Sequence, residues 1–382
     1  MTTSSGGGIY EKLGVRPFIN LAGSLTLNGG FIPSPAVRAA MDEANSRFAD
    51  MTELMDGAGR FVADALGTEA AYVTPGGIAA LILSAAAMMS GDDLEKMRRL
   101  PDTTGMDNEF VVQACNKAAE RAYEIAGGRV VYAGEATGCT REQLEAAIGP
   151  KTVAISQYFE FNDAVLPLEE TAEVARAQGV KLIVDAASTS RPLDLFRQIA
   201  HSGDLVSFGG KYFGGPSATG FVCGKKELVD LVAMQGVAHH TSDFVAFGRG
   251  YKLDRMQIAG MVVALEEWMS MDHEKRLEDT ARRLKVIEDR LADVRGVRTE
   301  QVSGQGYADL TLVIIVGPDA AKTAVQSIVE LEVGYPSIRA NPAPADAYRP
   351  SAGEATIGIR PFNMSEGEEV IVAERLRQVL RG

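Results

Sequence analysis

The chain has 382 residues, 46% of them hydrophobic, so it can bury a large core and form two domains. Its 51 acidic and 38 basic residues give a net charge of −13, which repels polyanions and disfavours a nucleic-acid partner. The three cysteines, Cys115, Cys139 and Cys223, show neither metal-ligand spacing nor a disulfide framework, so we expect no metal site and a reducing compartment.

Residues 1–9 are predicted to form a disordered tail. The Ser/Gly-rich start, Met1 to Gly8, has neither the basic segment nor the apolar core of a signal peptide. The longest apolar stretch, Ile78 to Met89, is too short and too rich in alanine to span a bilayer. We therefore expect a cytoplasmic protein with no membrane partner.

A helix is expected to begin at Ser34-Pro35, because serine is a favourable N-cap and proline fits the first helical turn. Apolar residues recur after it at helical spacing, at Val37, Met41, Ala44, Phe48, Met51 and Met55. The pattern predicts a helix whose methionines lie in the core.

A glycine-rich turn follows the short predicted strand that ends at Thr74. The turn contains Gly76 and Gly77, and an Ala/Leu-rich helix follows from Ile78. Free N–H groups and the helix dipole at such a start bind phosphate, and glycine lets the anion approach the backbone. Ordinary strand-to-helix turns share this pattern, but it matches neither a Walker loop nor a dinucleotide fingerprint. We assign Thr74, Gly76, Gly77 and Ile78 as candidate phosphate ligands.

Strands and helices alternate through the next hundred residues. Predicted elements are strands at 130–133, 152–156, 181–185 and 221–224 and a helix from Leu168 to Gln178, which Gly179 closes. This alternation is typical of a mostly parallel sheet covered by helices.

Lys211 and Asp185 carry the chemistry of this region. Lys211 lies in a Gly-Gly turn between two apolar runs, and Asp185 ends a predicted buried strand earlier in the chain. Singly, such residues are more often a solvated lysine and a capping acid. Together they are the parts that a pyridoxal phosphate enzyme needs: an amine that forms a Schiff base, and a carboxylate that keeps the pyridine nitrogen protonated.

A shift in composition near Trp268 indicates a second domain. A charged helix from Glu274 to Leu291, a helix at 319–331 and strands at 309–316 and 355–360 predict a small α+β unit. We assign residues 10–267 to the N-terminal segment and large cofactor-binding domain, and residues 268–382 to the small domain.

The motifs together resemble fold-type I pyridoxal phosphate enzymes. Within them the chain is similar to the branch of selenocysteine synthase (L-seryl-tRNA selenium transferase) and D-glucosaminate-6-phosphate ammonia lyase. The similarity covers nearly the whole chain, at segments 10–23, 53–59, 74–77, 184–187, 209–211 and 248–260. It implies a large domain with a mostly parallel, mixed seven-stranded sheet, pyridoxal 5'-phosphate as cofactor, and at least a homodimer.

Three departures from the family pattern indicate a subgroup with its own substrate. Ser207 and Phe208 stand in the opposite order to the family's Phe-Ser-Gly-Gly-Lys. Relatives often carry a His-Arg pair where this chain reads Gln113-Ala-Cys115-Asn116-Lys117. The phosphate loop is Thr-Pro-Gly-Gly where relatives have a Thr-Ser-Gly-Ala type.

The resemblance also suggests further site residues. Ser188 and Ser207 join the candidate cofactor ligands. Arg360 is the first candidate for the substrate carboxylate, because guanidinium binds carboxylates in a bidentate way, and Arg339 is the second. Further substrate candidates are Arg249 and Lys252, from a Gly-Arg-x-x-Lys segment, and Ser24 and Thr26, which follow the N-terminal segment. Turn-forming or ion-pairing roles are open alternatives for these residues.

These parts favour an enzyme that acts on a small free amino acid by removing its Cα proton, with Lys211 as the general base. We expect an elimination, and therefore a lyase. An amino-acid racemase or epimerase is the first alternative, and an aldolase or aminotransferase the next. A tRNA-dependent selenium transferase is disfavoured, because the chain has no Lys/Arg cluster and its family motifs begin at Tyr10. A non-catalytic binding protein is disfavoured by the presence of both Asp185 and Lys211.

Overall fold

A computed structural model describes residues 8–117, 119–236, 246–303, 310–343 and 348–382. Two adjacent histidines of the sequence, His239 and His240, lie outside these residues. In chain order the helices are α1 (Ile9–Lys12), α2 (Pro35–Asn45), α3 (Met51–Leu66), α4 (Gly77–Ser90), α5 (Leu94–Arg99), α6 (Glu120–Ile125), α7 (Arg141–Ala147), α8 (Leu168–Gln178), α9 (Leu193–Ala200), α10 (Lys226–Gln235), α11 (Arg255–Ser270), α12 (His273–Leu291), α13 (Ala324–Val333) and α14 (Glu368–Arg381). The strands are β1 (Phe18–Asn20), β2 (Ala70–Thr74), β3 (Glu109–Gln113), β4 (Arg129–Ala133), β5 (Thr152–Tyr158), β6 (Lys181–Asp185), β7 (Leu205–Gly209), β8 (Gly220–Gly224), β9 (Val297–Ser303), β10 (Leu310–Val316), β11 (Ser337–Arg339) and β12 (Ala355–Ile359).

The chain separates into two compact units. The large unit is Phe31–Ser270, and the small unit joins the N-terminal 30 residues to Met271–Gly382. The predicted boundaries assign residues 10–30 to the large domain, so the grouping differs there. In the small unit β1 pairs in parallel with β11, from Phe18 opposite Ser337 to Asn20 opposite Arg339. A pairing between segments more than 300 residues apart leaves no local pattern in the sequence.

The large unit is built on a seven-stranded sheet in the order β2-β8-β7-β6-β5-β3-β4. Strand β8 is antiparallel to both of its neighbours, and the remaining strand pairs are parallel. The sheet confirms the predicted mostly parallel, mixed α/β fold. Its parallel strands β5, β6 and β7 end at Tyr158, Asp185 and Gly209, so these ends share one edge of the sheet.

Helix α4 lies in the core of the large unit. Twelve of its 14 residues are buried, so it is apolar on all sides, as expected for a helix that is covered on every face. An aromatic cluster of Phe196, Phe208, Phe213 and Phe221 packs around the β7–β8 hairpin, with ring centroids 4.9–6.3 Å apart. This packing holds the turn between the two strands rigidly.

The small unit has an antiparallel sheet in the order β12-β10-β9. Its core consists of residues from this sheet, from β1 and β11, and from helices α12, α13 and α14, among them Leu284, Leu312, Ile338 and Leu376. The predicted small α+β unit is therefore present, although its helix α13 begins at Ala324 rather than at 319. Thr323 caps α13, because its hydroxyl accepts a hydrogen bond from the Gln326 amide.

The prediction of one continuous helix from Ser34 to Met55 is wrong. The structure has two helices, because α2 ends at Asn45 and Asp50 starts α3 by accepting hydrogen bonds from the amides of Thr52 and Glu53. Phe48 lies in the connection and is 96% exposed, and Met51 is also exposed. The helical spacing of the apolar residues persisted across a segment where the backbone is not helical.

Candidate active site

Asp185 is the last residue of β6 and lies at the carboxyl edge of the large sheet. It pairs in register with Tyr158 of β5 on one side and with Ser207 of β7 on the other. The residue is 5% exposed, and its carboxylate accepts a hydrogen bond of 3.1 Å from the Ala187 amide. Burial raises the pKa of Asp185 to about 6, and the Ala187 amide lowers it in part. No lysine or arginine among the described residues forms an ion pair with it. A buried carboxylate in this state favours a cationic ligand group.

Lys211 lies two residues after the end of β7, in a 3-10 turn from Gly210 to Phe213. Only glycine fits at position 210, because a Cβ there would come within 2.2 Å of the Thr219 hydroxyl oxygen. The Lys211 side chain is half-buried, and burial lowers its pKa. Its Nζ lies 5.0 Å from the ring centroid of Tyr212. A lowered pKa favours the neutral amine, which is the form that attacks a carbonyl or accepts a proton.

The predicted phosphate turn connects β2 to α4 at the same part of the sheet. Thr74 is fully buried, and its hydroxyl donates to the Gly76 carbonyl over 3.0 Å. Gly76 has φ +93°, and a Cβ at this position would meet no atom within 4 Å. The first helical hydrogen bond is donated by Ala80 to Gly76, so the amides of Gly77, Ile78 and Ala79 precede the bonded ladder. An open approach to free amides at a helix start suits a phosphate.

The turn is fastened to the strands that carry Asp185 and Lys211. The Ser207 hydroxyl donates to the Gly77 carbonyl over 3.1 Å, and Ser207 is fully buried. A Cβ at Gly77 would lie 3.0 Å from the Ala187 Cβ, so the start of α4 packs directly against the segment after β6. The structure therefore brings the candidate phosphate turn, Asp185 and the Lys211 turn into one place.

Two residues at this edge were not among the predicted site residues. Asn116 and Tyr158 line a small internal space together with Asp185. The Tyr158 hydroxyl lies 3.3 Å from the hydroxyl of the predicted site residue Ser188. Asn116 lies in the stretch that departs from the family pattern. That departure is the feature of the sequence that could have identified Asn116 as a site residue.

Pyridoxal phosphate fits the residues that the fold assembles here. Asp185 offers an unpaired buried carboxylate for a pyridinium N–H, and Lys211 offers an amine with a lowered pKa. The start of α4 offers free amides and an open glycine for the phosphate. Each group matches one part of the cofactor.

The candidate substrate residues are divided between the two units. In the large unit, Arg249 lies in a 3-10 turn, Phe247–Gly250, whose Gly248 packs against Leu83 of α4. Lys252 is exposed. The contact between Gly248 and Leu83 therefore holds the Phe247–Gly250 turn against α4, the helix that follows the candidate phosphate turn.

In the small unit, the pairing of β1 with β11 gathers the other candidates. Arg360 donates to the Ala22 carbonyl over 3.3 Å, and Ser24 is buried two residues further on. Arg339 donates to the Asn28 side chain over 3.1 Å, lies 3.4 Å from a carboxylate oxygen of Glu332, and stacks on Phe18 at 4.1 Å. These contacts indicate a structural role for the Arg339 guanidinium. Thr26 is exposed at the start of a 3-10 turn.

Two features, a membrane-spanning helix and a metal-ligand cluster, are not found among the described residues. No helix in the described ranges is both long and apolar enough to cross a bilayer. Within the same ranges, no group of three or more His, Cys, Asp or Glu side chains is arranged to hold a metal ion.

Comparison with known proteins gives a consistent result. Residues 39–317 match the family model for aminotransferase class-V. The chain is 29% identical to 5'-C-glycyluridine monooxygenase-decarboxylase of Streptomyces sp, over 97% of this chain and 92% of that protein. It is 27% identical to D-glucosaminate-6-phosphate ammonia lyase of Salmonella typhimurium, over 97% of both chains. It is 25% identical to L-seryl-tRNA(Sec) selenium transferase of Rhizobium meliloti, over 69% of this chain and 58% of that protein. A solved structure of D-glucosaminate-6-phosphate ammonia-lyase matches with a TM-score of 0.83 at 26% identity and covers 98% of both chains.

Proposed function

Because the chain belongs to the aminotransferase class-V family, we propose that it is a pyridoxal phosphate-dependent lyase. It acts on a small amino acid or amino-acid derivative, removes the proton on Cα, and expels a group from the neighbouring carbon. The observation that supports this most strongly is the buried, unpaired carboxylate of Asp185 at the same edge as the Lys211 turn. A relative of similar length whose name is an ammonia lyase also supports it.

Each part of the site has one task toward the cofactor. When bound, pyridoxal phosphate withdraws electrons from the substrate Cα and makes its proton acidic. Lys211 Nζ carries the cofactor between turnovers, and the Asp185 carboxylate holds a proton on the pyridine nitrogen. The amides that begin α4, at Gly77, Ile78 and Ala79, bind the phosphate, and the Thr74 hydroxyl holds the turn through the Gly76 carbonyl. Ser207 holds the turn in shape through the Gly77 carbonyl.

Lys211 also acts as the general base. Its Nζ would be available for this task while substrate is bound, and burial keeps the pKa of the amine below its usual range. A neutral amine close to the reacting carbon accepts the Cα proton. Racemases and aminotransferases also begin by removing the Cα proton, and aldolases break the Cα–Cβ bond instead, so the residues of this site favour Cα chemistry in general. The choice of elimination comes from the lyase relative.

We further propose that Arg360 holds the substrate carboxylate. Arg339 is the second candidate, and Glu332, Phe18 and Asn28 engage its guanidinium. Arg249 and Lys252 are proposed to bind a second anionic group of the substrate. A cytoplasmic homodimer is the proposed state of the enzyme, and sedimentation of the cofactor-loaded protein measures its assembly.

The reaction is tested with a panel of D- and L-amino acids and phosphorylated amino sugars incubated with cofactor-loaded protein. A lyase releases ammonia together with a 2-oxo acid, and each product is quantified. Loss of optical activity without ammonia would replace elimination with racemisation. If no amino acid of the panel exchanges its Cα proton for deuterium in heavy water, the proposal as a whole is contradicted.

A second candidate is oxidative decarboxylation of an amino acid with dioxygen. It is favoured by one observation, the 29% identity with a monooxygenase-decarboxylase over 97% of this chain. An oxygen electrode and carbon dioxide release separate it from elimination, because elimination consumes no dioxygen.

A further inference from the structure

Asn116 is a buried amide at the edge of the sheet where the candidate active site lies. It follows β3 by three residues and is 3% exposed. An unpaired amide in such a place costs free energy, so its partners are informative.

The Asn116 side chain forms three hydrogen bonds with the end of β5. Its Oδ1 accepts from the Tyr158 amide over 2.8 Å, and its Nδ2 donates to the Tyr158 carbonyl over 3.0 Å. Nδ2 also donates to the Glu160 carboxylate over 2.7 Å. The β3–β5 ladder has its last residue pair at Val112 and Ser156. The side-chain amide therefore continues the ladder beyond the end of β3, because it offers the same donor and acceptor as a peptide group.

The hydrogen bonds from Asn116 to Tyr158, called here the Asn116 clamp, hold the segment of main chain that lies next to Asp185. Tyr158 is opposite Asp185 in the register of β5 and β6, and the Phe159 amide donates to the Asp185 carbonyl over 2.8 Å. The main chain at Tyr158 and Phe159 is thus held between Asn116 on one side and Asp185 on the other. The Tyr158 side-chain hydroxyl lies 3.3 Å from the Ser188 hydroxyl oxygen.

We propose that Asn116 is a positioning residue of this enzyme, which fixes the end of β5 and thereby the placement of the Asp185 carboxylate against the cofactor ring. The inference rests on the proposed function. Loss of the Asn116 amide leaves the Tyr158 amide and carbonyl without these partners, and the end of β5 becomes free to shift. A shifted Asp185 holds the pyridine proton less well.

The test compares Asn116→Ala and Asn116→Asp with a matched asparagine at the other end of the same strand. Asn108 precedes β3, and its Nδ2 donates to the Thr103 hydroxyl over 2.8 Å and to the Gly127 carbonyl over 3.3 Å. Asn108→Ala therefore removes a comparable loop contact away from the site. For each variant the Kd for pyridoxal phosphate, the visible band of the bound cofactor against pH, and the thermal unfolding of the cofactor-free protein are measured.

The Asn116 variants are expected to bind the cofactor roughly tenfold more weakly and to shift the pH dependence of the visible band. Asn108→Ala is expected to lower thermal stability alone. In Asn116→Asp the new carboxylate faces Glu160, and Glu160→Gln supplies an amide donor that restores this contact. The double variant should recover part of the lost affinity, whereas Glu160→Gln alone changes little. If Asn116→Ala does not fold, the comparison of Asn116→Asp with the double variant tests the inference instead.

Two results would overturn the inference and are distinguishable from each other. Asn116 variants that match Asn108→Ala, with parental Kd and parental band, would show that the clamp is only structural. Parent protein that takes up no cofactor would refute the proposed function, and the role of Asn116 would fall with it.

Discussion

Asp185 is a buried carboxyl group that the fold alone does not neutralise. Ala187 supplies one hydrogen bond, and burial raises the pKa of Asp185 to about 6. Such a group costs free energy when ionised in the cofactor-free protein. A pyridinium nitrogen placed against it removes that cost. The residue therefore couples the stability of the fold to occupancy of the site.

The first prediction concerns the pH dependence of this stability. The pKa of Asp185 is raised on folding, so the folded state binds a proton more tightly between about pH 4 and 6, and stability falls as pH rises through this range. The cofactor-free parent should lose about 3 kcal/mol of unfolding free energy relative to Asp185→Asn between these limits, with no further change above them. Denaturant unfolding of both proteins measures the difference, and parallel pH profiles would contradict it.

Asp185→Asn should also separate cofactor binding from catalysis. The amide keeps the size of the side chain but cannot stabilise a pyridinium, so cofactor uptake should persist with a Kd roughly tenfold higher, while turnover falls. The expected loss is about 3–4 kcal/mol of transition-state stabilisation. Equilibrium titration with the cofactor and steady-state rates on the same preparation measure both quantities. Turnover equal to that of the parent would show that the carboxylate is only structural.

At the scale of elements, α4 links the core to the site. Its body is buried on all sides, and its first turn is tied to β7 by the Ser207 hydroxyl and packed on Ala187. A helix that cannot move sideways keeps its free amides in one place. This rigidity is what a phosphate site requires.

Gly76→Ala should weaken cofactor binding through this helix start. Gly76 has φ +93° and Gly91, just past the other end of α4, has φ +57°, and a Cβ meets no atom within 4 Å at either position. Both alanine variants are strained and should lose about 1–3 kcal/mol of stability. Only Gly76→Ala places a methyl group in the approach to the phosphate amides, and it should raise the Kd for pyridoxal phosphate at least tenfold beyond Gly91→Ala. Equal titration curves for the two variants would place the phosphate elsewhere.

The local elements of the site could be predicted from the sequence, and its long-range supports could not. The Thr74–Gly77 turn, the strand that ends at Asp185 and the Lys211 turn each follow from a short pattern of apolar residues and glycines. The break between α2 and α3 was missed, because the helical spacing runs across it. The β1–β11 pairing and the Asn116 clamp depend on contacts between distant segments, which a single sequence does not display.

On the scale of the whole molecule, charge separates a small-molecule enzyme from a tRNA-dependent one. The net charge is −13, and the basic candidates Arg249, Lys252, Arg339 and Arg360 are distributed over both units. A polyanion needs a continuous basic surface and loses affinity steeply with salt. These four candidate cations are too few and too widely separated along the chain to form such a surface.

Gel-shift titration with seryl-tRNA at low salt measures this property directly. We expect no stable complex at micromolar protein, and no effect of added tRNA on turnover of amino acids. The comparison with an unrelated acidic protein of similar charge controls for weak nonspecific association. Tight binding that salt abolishes would restore the selenium-transferase alternative.

The central claim is that Lys211 carries pyridoxal phosphate, and borohydride reduction followed by peptide mapping tests it most directly. Burial lowers the pKa of Lys211, whereas the ion pair of Lys225 with Asp204, at 2.6 Å, raises the pKa of Lys225 and keeps that amine protonated. We expect one pyridoxyl-labelled peptide, which contains Lys211, and no such label in Lys211→Ala. A label on Lys225 or Lys252 in the parent protein would contradict it.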